Sequence, residues 1–232
     1  MNNYKLRGIR AIFFDAGGTL IHLDSPRICA LLRDELGLEA VIDRFPRAQS
    51  MAMRHVAELV AAGHGSTEQL KNQFYGVLLP EIGIPQEKVP AAAECVLKLA
   101  RAEMLWRKYE EAIPSVLLRL KERGLLLAVV SNSDGRIENA FAQAGLAEYF
   151  DFFIDSFLVG VEKPDPRIFH IALEKADVSA QEAAYVGDLY SVDVLGARRA
   201  RLLPVLYDPY QLNPEADCVR IDAIGDLLHL LA

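Results

Sequence analysis

Short apolar segments alternate with helix-like segments along most of this chain, and each apolar segment has the length of a strand buried on both faces of a parallel sheet. The apolar segments comprise residues 9–14, 125–130, 152–154, 183–186 and 204–207. Segments with apolar residues at helical spacing comprise residues 114–124, 165–176 and 190–200. This alternation predicts an α/β fold built on a doubly wound, Rossmann-like parallel sheet.

One region, residues 25–106, interrupts the alternation because it is helical throughout and contains no convincing strand. Ser25-Pro26 is a typical helix start, Gly37 is a typical helix end, and Pro85 opens a further helix. An all-helical insertion after the first strand predicts a separate domain. The predicted division is therefore an α/β core domain of residues 1–21 and 107–232 and an inserted helical cap domain of residues 22–106.

The composition argues against several classes of protein. The formal net charge of -7 disfavours a nucleic-acid-binding protein, which normally has a basic face. The N-terminal segment lacks the apolar stretch of a signal peptide, and the longest apolar run is far shorter than a membrane span. Cys29, Cys95 and Cys218 have no paired spacing for zinc and are predicted to be free thiols. We expect a cytoplasmic protein that binds neither nucleic acid nor membranes.

Four polar groupings follow predicted strands, at the sheet edge where open α/β folds bind their ligands. They are Asp15 with Gly17, Gly18 and Thr19; Ser131 with Asn132; Lys163; and Asp188 with Asp193. In this order and on these elements, the groupings resemble the four motifs of the haloacid dehalogenase (HAD) superfamily. The resemblance covers nearly the whole chain, because the helical insertion also lies where that family inserts its first type of cap.

The resemblance implies a role for each grouping. Asp15 would be the nucleophile, and a carboxylate nucleophile divides one difficult hydrolysis into two easier displacements. Lys163 would neutralise Asp15 and the transferring phosphoryl group. Ser131 and Asn132 would donate hydrogen bonds to phosphoryl oxygens, although a Ser-Asn-Ser segment before a helix is also a common helix N-cap. The resemblance also places Gly18 at the substrate.

A magnesium site is implied at the same edge of the sheet. Asp188 would bind Mg²⁺ together with the Asp15 carboxylate and the backbone carbonyl of Gly17, since magnesium prefers oxygen ligands and bridges to substrate phosphate. Asp193 would orient a magnesium-bound water or Lys163, and Thr19 would support the ligands from the second coordination sphere.

Position 17 departs from the family pattern. Phosphatases of this family usually have a second Asp two residues after the nucleophile, which protonates the leaving oxygen and then activates the hydrolytic water. Gly17 stands there in this chain. The family's dehalogenases also lack this Asp and typically have Tyr in its place, whereas its phosphonatases have a small residue there and recruit a Lys from the cap.

Three functions are compatible with Gly17. The first is a phosphatase that works without the acid or borrows one, with His22 and Asp24 as nearby candidates. The second is a 2-haloacid dehalogenase, which the retained Asp188 disfavours. The third is a non-enzymatic module that binds phosphate or a partner and has kept the metal site, which leaves the retained nucleophile without a purpose. We predict the first, a Mg²⁺-dependent phosphatase that acts on a small phosphorylated metabolite through an aspartyl-phosphate intermediate.

Substrate choice is expected to reside in the helical insertion. Its candidate contacts are Arg54, His55, His64 and Lys71. Each of these is more typical of a solvated helix face than of a binding site. No sequence pattern indicates a particular substrate or oligomeric state.

Overall fold

The computed structural model describes residues 6–64 and 67–231, which form two compact units. The α/β unit comprises the residues up to Ile21 and those from Tyr109 onward, and the helical unit comprises His22–Lys108. The sequence-based division placed its second boundary at residue 106. In the structure, residues 107 and 108 complete a strand that pairs within the helical unit.

The strands of the described residues are Ala11–Phe14 (β1), His22–Leu23 (β2), Trp106–Lys108 (β3), Leu126–Ser131 (β4), Phe152–Asp155 (β5), Ala183–Gly187 (β6), Leu203–Tyr207 (β7) and Val219–Ile221 (β8). Six of them are parallel and form the central sheet of the α/β unit, in the order β5-β4-β1-β6-β7-β8. The predicted doubly wound parallel sheet is confirmed.

Helices cover both faces of this sheet. They are Ile113–Glu122 (α5), Ile137–Gln143 (α6), Ser156–Val159 (α7), Pro166–Ala176 (α8), Leu195–Arg199 (α9) and Leu227–Leu230 (α10). Because successive strand residues point to opposite faces, Phe13 packs with Phe169 of α8 on one side. Phe14 lies against Phe150 on the other side, where Phe141 of α6 contacts the same ring.

The strand order determines where along the sheet a ligand site is expected. From β1 the chain continues to β4 and β5 on one side of the sheet, and then crosses to β6, β7 and β8 on the other side. Strand β1 is therefore flanked by β4 and β6, with Phe14 level with Val129 and Val186. The direction of winding reverses here, and open parallel sheets bind ligands at the carboxyl ends of the strands at such a point.

The helical unit packs around an apolar core of its own. Its helices are Ser25–Leu36 (α1), Phe45–Ala61 (α2), Thr67–Glu81 (α3) and Val89–Ala102 (α4). Fully buried side chains from each helix meet in this core, among them Ile28, Phe45, Leu78 and Val96. As predicted, α1 begins at Ser25 and ends before Gly37, whose left-handed backbone (φ 64°) lets its N–H bond the last turn.

The expectation that residues 25–106 contain no strand is wrong at its C-terminal end. Trp106–Lys108 (β3) pairs antiparallel with His22–Leu23 (β2), with Leu23 level with Trp106 and His22 level with Lys108. Strands of two and three residues are too short to show an alternating pattern, which is why the sequence did not reveal them.

The three cysteines were predicted to be free thiols, and in the structure they are half-buried and free. No helix among residues 6–64 and 67–231 combines the length and the apolar composition that a membrane span requires.

Candidate active site

Three carboxylates and one ammonium group meet at the carboxyl edge of the central sheet. Lys163 Nζ donates to Asp15 Oδ1 at 2.5 Å and to Asp193 Oδ1 at 2.8 Å. The side chain of Asp188 completes the cluster, since one oxygen from each of the three Asp residues lies within 4.8 Å of the others. The structure thus brings together side chains that are far apart in the sequence.

The backbone of Lys163 is held in place by hydrogen bonds to a neighbouring side chain. The amide of Asn132 bonds the Lys163 backbone in both directions, from Nδ2 to the carbonyl at 3.0 Å and from the backbone N–H to Oδ1 at 2.8 Å. Two residues later, Asp165 caps helix α8 by accepting from the N–H of Arg167 at 2.9 Å. Asn132 was predicted to contact phosphoryl oxygens, and in the structure its amide supports Lys163.

The loop after β4 is held from the neighbouring strand. Ser131 is the last residue of β4 and is buried. Asp155, at the end of β5, accepts hydrogen bonds from the backbone N–H groups of Gly135, Ile137 and Phe157. A carboxylate that accepts several N–H bonds anchors a turn strongly, so the segment that follows Ser131 is tied to the sheet on its far side.

The segment after Asp15 is a tight turn. The carbonyl of Ala16 accepts from the N–H groups of Leu20 and Ile21, both at 2.9 Å, and the N–H of Gly18 donates to Ile21 at 2.8 Å. The left-handed conformation in this turn belongs to Gly18 (φ 89°), and Gly17 is not among the described glycines with positive φ. Gly18 therefore has a conformational reason to be glycine that Gly17 lacks.

Asp188 is short of hydrogen bonds. Among the described side chains, the hydroxyl of Thr19 donates to its Oδ1, in a long bond of 3.4 Å. Its Oδ2 is the only buried side-chain nitrogen or oxygen atom, among the residues that the structure describes, without a hydrogen-bond partner. Buried polar atoms without partners are rare because their desolvation is uncompensated. This orphaned oxygen is the observation that favours a bound cation.

The charges of the cluster do not balance. Three carboxylates and a single ammonium leave two negative charges uncompensated. Burial raises the pKa of Asp15 to about 6, although Lys163 opposes the shift. Burial, and then the charges of Asp15 and Asp193, raise the pKa of Asp188 well above its ordinary range. A divalent cation with oxygen ligands, such as Mg²⁺, would neutralise the excess charge.

The lysine stays charged in this environment. Burial by itself would lower the pKa of Lys163, but the carboxylates of Asp15 and Asp193 outweigh burial and raise this pKa above its usual value. The Lys163 side chain is only 2% exposed. A buried ammonium paired with two carboxylates is therefore a fixed positive charge beside the Asp15 carboxylate.

Asp193 is bound to the protein through both oxygens. Its Oδ1 accepts from Lys163, and its Oδ2 accepts from the N–H of Leu189 at 2.9 Å. It lies on a single π-helical turn, Tyr190–Val194, which leads into α9. A Cβ at Gly187 would collide with the Asp193 carboxylate, so a glycine is needed there. With both oxygens engaged, Asp193 fits the predicted supporting role better than that of a direct metal ligand.

Tyr185 contacts Lys163 and was not among the site residues predicted from the sequence. Its hydroxyl accepts from Lys163 Nζ at 2.7 Å and donates to the carbonyl of Val130 at 2.9 Å. In the sequence it is one more large residue in a buried strand. A usable signal was present, because a buried tyrosine hydroxyl needs a hydrogen-bond partner and Tyr185 precedes Asp188 by three residues.

Four of the candidate acids and substrate contacts of the helical unit have partners within that unit. Asp24 caps α1 and pairs with Arg107 at 2.7 Å. His22 Nδ1 lies 3.2 Å from the buried amide of Gln49. Of the residues proposed to contact substrate, Arg54 pairs with a glutamate one turn away and His55 hydrogen-bonds a glutamine. These contacts are typical of structural roles.

Comparison with known proteins agrees with the fold. The family model described as haloacid dehalogenase-like hydrolase matches residues 9–201. The chain therefore belongs to the haloacid dehalogenase-like hydrolase family, which confirms the resemblance and the predicted class of enzyme. Hydrolases of this family generally use Mg²⁺, and the described residues contain an acidic cluster that could hold a metal ion.

The individual relatives differ in the activity that their names give. "Haloacid dehalogenase-like hydrolase domain-containing protein 3" of Bos taurus is 43% identical over 129 residues, which cover 55% of this chain and about half (51%) of that protein. The phosphoserine phosphatase of Thermus thermophilus is 30% identical over 247 residues, covering 94% of this chain and 96% of that protein. The magnesium-bound HAD-hydrolase YfnB of Bacillus subtilis superposes with a TM-score of 0.70 at 18% identity, covering 96% and 98% of the two chains. At that identity the structural similarity concerns the fold alone.

Proposed function

We propose that this chain is a Mg²⁺-dependent phosphatase that acts on a small phosphorylated metabolite, with Asp15 as nucleophile and without the usual acid at position 17. The observation that carries the proposal is the geometry of the cluster. A fixed ammonium lies 2.5 Å from the Asp15 carboxylate, and an orphaned Asp188 oxygen lies beside it. This arrangement is suited to transfer of a dianionic phosphoryl group.

The reaction would proceed in two displacements at phosphorus. A carboxylate oxygen of Asp15 attacks the phosphorus atom, and the bond between phosphorus and the leaving oxygen breaks. The leaving oxygen departs as an alkoxide and takes its proton from water. Water then attacks the phosphorus of the aspartyl-phosphate, which releases inorganic phosphate and regenerates the carboxylate. Lys163 would balance the charge on Asp15 and on the phosphoryl oxygens in both steps. Ser131, the last residue of β4, and Gly18, in the turn after Asp15, are proposed to contact those oxygens.

All three N–H groups of the Lys163 ammonium are engaged, by Asp15, Asp193 and Tyr185. Direct contact between Lys163 and a phosphoryl oxygen would require one of these hydrogen bonds to be shared or opened. The proposed effect of Lys163 is therefore mainly electrostatic, through a charge held beside the reacting carboxylate.

Magnesium would be held by Asp15, Asp188 and the backbone carbonyl of Gly17, and when bound it would supply positive charge to the substrate's phosphoryl oxygens. The requirement for magnesium follows from the negative charges of the substrate and of the carboxylate cluster. A phosphate monoester is a dianion, and the cluster carries two uncompensated negative charges when all three carboxylates are ionised. Like charges at contact distance repel strongly at a buried site, so the ester would bind poorly without a cation.

The absence of an acid at position 17 limits the rate without excluding the reaction. General acid catalysis contributes about 10²–10⁴-fold, whereas enzymes that hydrolyse phosphate monoesters accelerate the reaction by up to ~10²¹-fold. The names of relatives also favour phosphatase chemistry, since the Thermus thermophilus protein is a phosphoserine phosphatase. A small phosphorylated substrate and a cytoplasmic location remain part of the proposal.

The test is a panel of phosphorylated metabolites and 2-haloacids, assayed with Mg²⁺ and with a chelator. Release of phosphate from at least one metabolite, only with Mg²⁺, would support the proposal. Release of halide in the presence of the chelator would identify a dehalogenase. Binding of phosphate without turnover on any substrate would identify a binding module.

The first specific prediction concerns Asp188→Asn. In metal-free protein at neutral pH this variant should melt at a higher temperature than the wild type. Because the pKa of Asp188 is raised in the folded state, its ionised form destabilises the fold above the ordinary pKa of an Asp. Removing a buried charge without a partner is worth about 1–3 kcal/mol, which corresponds to about 2–12 °C in a protein of this size. The same variant should lose the stabilisation that Mg²⁺ gives the wild type, about 2.7 kcal/mol at a hundredfold excess over Kd.

Asp208→Asn is the matched control, measured by thermal unfolding with and without Mg²⁺. Asp208 is also a buried aspartate at the end of a strand, but both of its oxygens accept backbone N–H bonds, from Leu212 and Asn213. This variant should be destabilised in both conditions and should retain the response to Mg²⁺. A wild type that Mg²⁺ does not stabilise, or an Asp188→Asn protein that still responds to it, would contradict the assignment.

A further inference from the structure

We propose that Tyr185 is a positioning residue that holds the Lys163 ammonium against the nucleophile Asp15. The inference rests on the proposed function, because it assigns a role within the same site. Tyr185 would touch neither the substrate nor the metal, and would act through Lys163.

The hydrogen-bond capacity of Lys163 is the first argument. An ammonium has three N–H donors, and this one has three acceptors: Asp15 Oδ1 at 2.5 Å, the Tyr185 hydroxyl at 2.7 Å and Asp193 Oδ1 at 2.8 Å. With three partners in three directions, rotation of the ammonium and displacement of its stem are both restrained. Without the hydroxyl, one N–H of a side chain that is only 2% exposed would lose its acceptor.

The second argument is that the hydroxyl is itself fixed from outside the cluster. It donates to the carbonyl of Val130 at 2.9 Å, and its other possible acceptor, Asp193 Oδ1, is more distant at 3.2 Å. Val130 immediately precedes Ser131 on β4. The hydroxyl therefore links the ammonium to the strand that carries the proposed phosphoryl contact.

The third argument is the rigidity of the ring. Tyr185 is in the middle of β6 and 1% exposed, and its ring packs edge-on against Phe169 of α8, with centroids 4.9 Å apart. Side chains in such a core are confined to one rotamer. The position of the hydroxyl is thus set by the packing of the α/β unit, and Lys163 is placed with respect to that packing.

Tyr185→Phe separates the hydroxyl from the ring. The variant keeps the aromatic core contact and the ring face near Lys163, whose Nζ lies 5.3 Å from the ring centroid. Loss of a residue that orients a catalytic group typically costs about 10–100-fold in activity. We expect kcat to fall by that factor and KM to change little, because the hydroxyl is proposed to act on the transferring group and not on substrate recognition.

Tyr207→Phe is the matched control. Tyr207 is also buried, lies on the adjacent strand β7, and donates its hydroxyl to a carboxylate, Glu110, at 2.7 Å. Both variants lose one buried tyrosine hydroxyl, so both should lose similar stability, but only Tyr185→Phe should lose turnover. Retention of the Mg²⁺-induced rise in melting temperature in both variants would establish that the site is folded.

A double-mutant cycle with Lys163→Met distinguishes positioning from general structural support. The readout is the affinity for beryllofluoride, an acyl-phosphate mimic, in the presence of Mg²⁺. Tyr185→Phe should weaken this affinity in the wild-type background and have no further effect when Lys163 is absent, because coupled residues are non-additive.

Equal effects of Tyr185→Phe in the two backgrounds, or unchanged kcat in the single variant, would overturn the role of Tyr185. These outcomes differ from failure of the proposed function, in which the wild type itself would neither release phosphate nor bind beryllofluoride, and the inference would fall with it.

Discussion

Asp15→Asn is expected to lower phosphatase turnover by on the order of 10⁴-fold or more, because an amide cannot form the covalent phosphoryl intermediate. The variant should fold normally. Its side chain has the same size, and its amide oxygen can still accept from Lys163. Because burial raises the pKa of Asp15 to about 6, the ionised carboxylate destabilises the fold above its ordinary pKa. Neutralising it should therefore leave the melting temperature at neutral pH unchanged or higher.

Covalency can be measured separately from turnover. In the presence of Mg²⁺, beryllofluoride should bind the wild type at Asp15 and give a saturable rise in melting temperature, and Asp15→Asn should show none. Asp208→Asn is a suitable control, since that buried carboxylate is occupied by backbone N–H groups and its variant should still bind beryllofluoride. Normal turnover by the Asp15→Asn variant would show that the nucleophile has been wrongly assigned.

The elements that the sequence predicted are those with long or fully apolar patterns. The strand predicted at residues 183–186 is Ala183–Gly187 in the structure, and the strand predicted at 152–154 is Phe152–Asp155. Each is buried in the sheet, where nearly every side chain must be apolar. Burial in the sheet is therefore the reason for the apolar sequence pattern that predicts these strands.

The elements that the sequence did not predict are short or irregular. Strand β8 has three residues at the edge of the sheet, with exposed Arg220 between two buried side chains. The predicted helix at residues 190–200 is a π-helical turn, Tyr190–Val194, followed by α9. The π-helical turn places Asp193 within hydrogen-bonding distance of Lys163, which lies thirty residues earlier in the sequence. Local periodicity contains no trace of this contact.

The site could be predicted by residue type but not by hydrogen bonding. Asp15, Lys163 and Asp188 were proposed as site residues because each comes after a predicted strand, in the order typical of the family. That Asn132 holds the Lys163 backbone, and that Tyr185 occupies the third N–H of its ammonium, depends on the register of β4 and β6 beside β1. Register is set by the assembled sheet, so these supporting contacts become visible only in three dimensions.

Gly17→Asp is expected to raise phosphatase turnover, because it introduces a carboxyl group where the family's phosphatases usually have their general acid. The backbone permits the change. The positive φ of this turn falls on Gly18, at 89°, and Gly17 is not among the described glycines with positive φ. Gly17 is also partly exposed, so the strain that a Cβ causes at left-handed positions is not expected at residue 17.

The size of the gain should depend on the leaving group. General acid catalysis contributes about 10²–10⁴-fold, and an alkoxide needs a proton to leave, whereas nitrophenolate barely does. Turnover of alkyl phosphates should therefore rise towards that range, and turnover of p-nitrophenyl phosphate should rise much less. Gly17→Asn is the matched control, since it adds the same bulk and polarity at residue 17 without a transferable proton, and it should give no such gain. If Gly17→Asp is folded and binds Mg²⁺, yet is no faster than Gly17→Asn on either substrate, the result would argue that the glycine serves a different chemistry or a binding function.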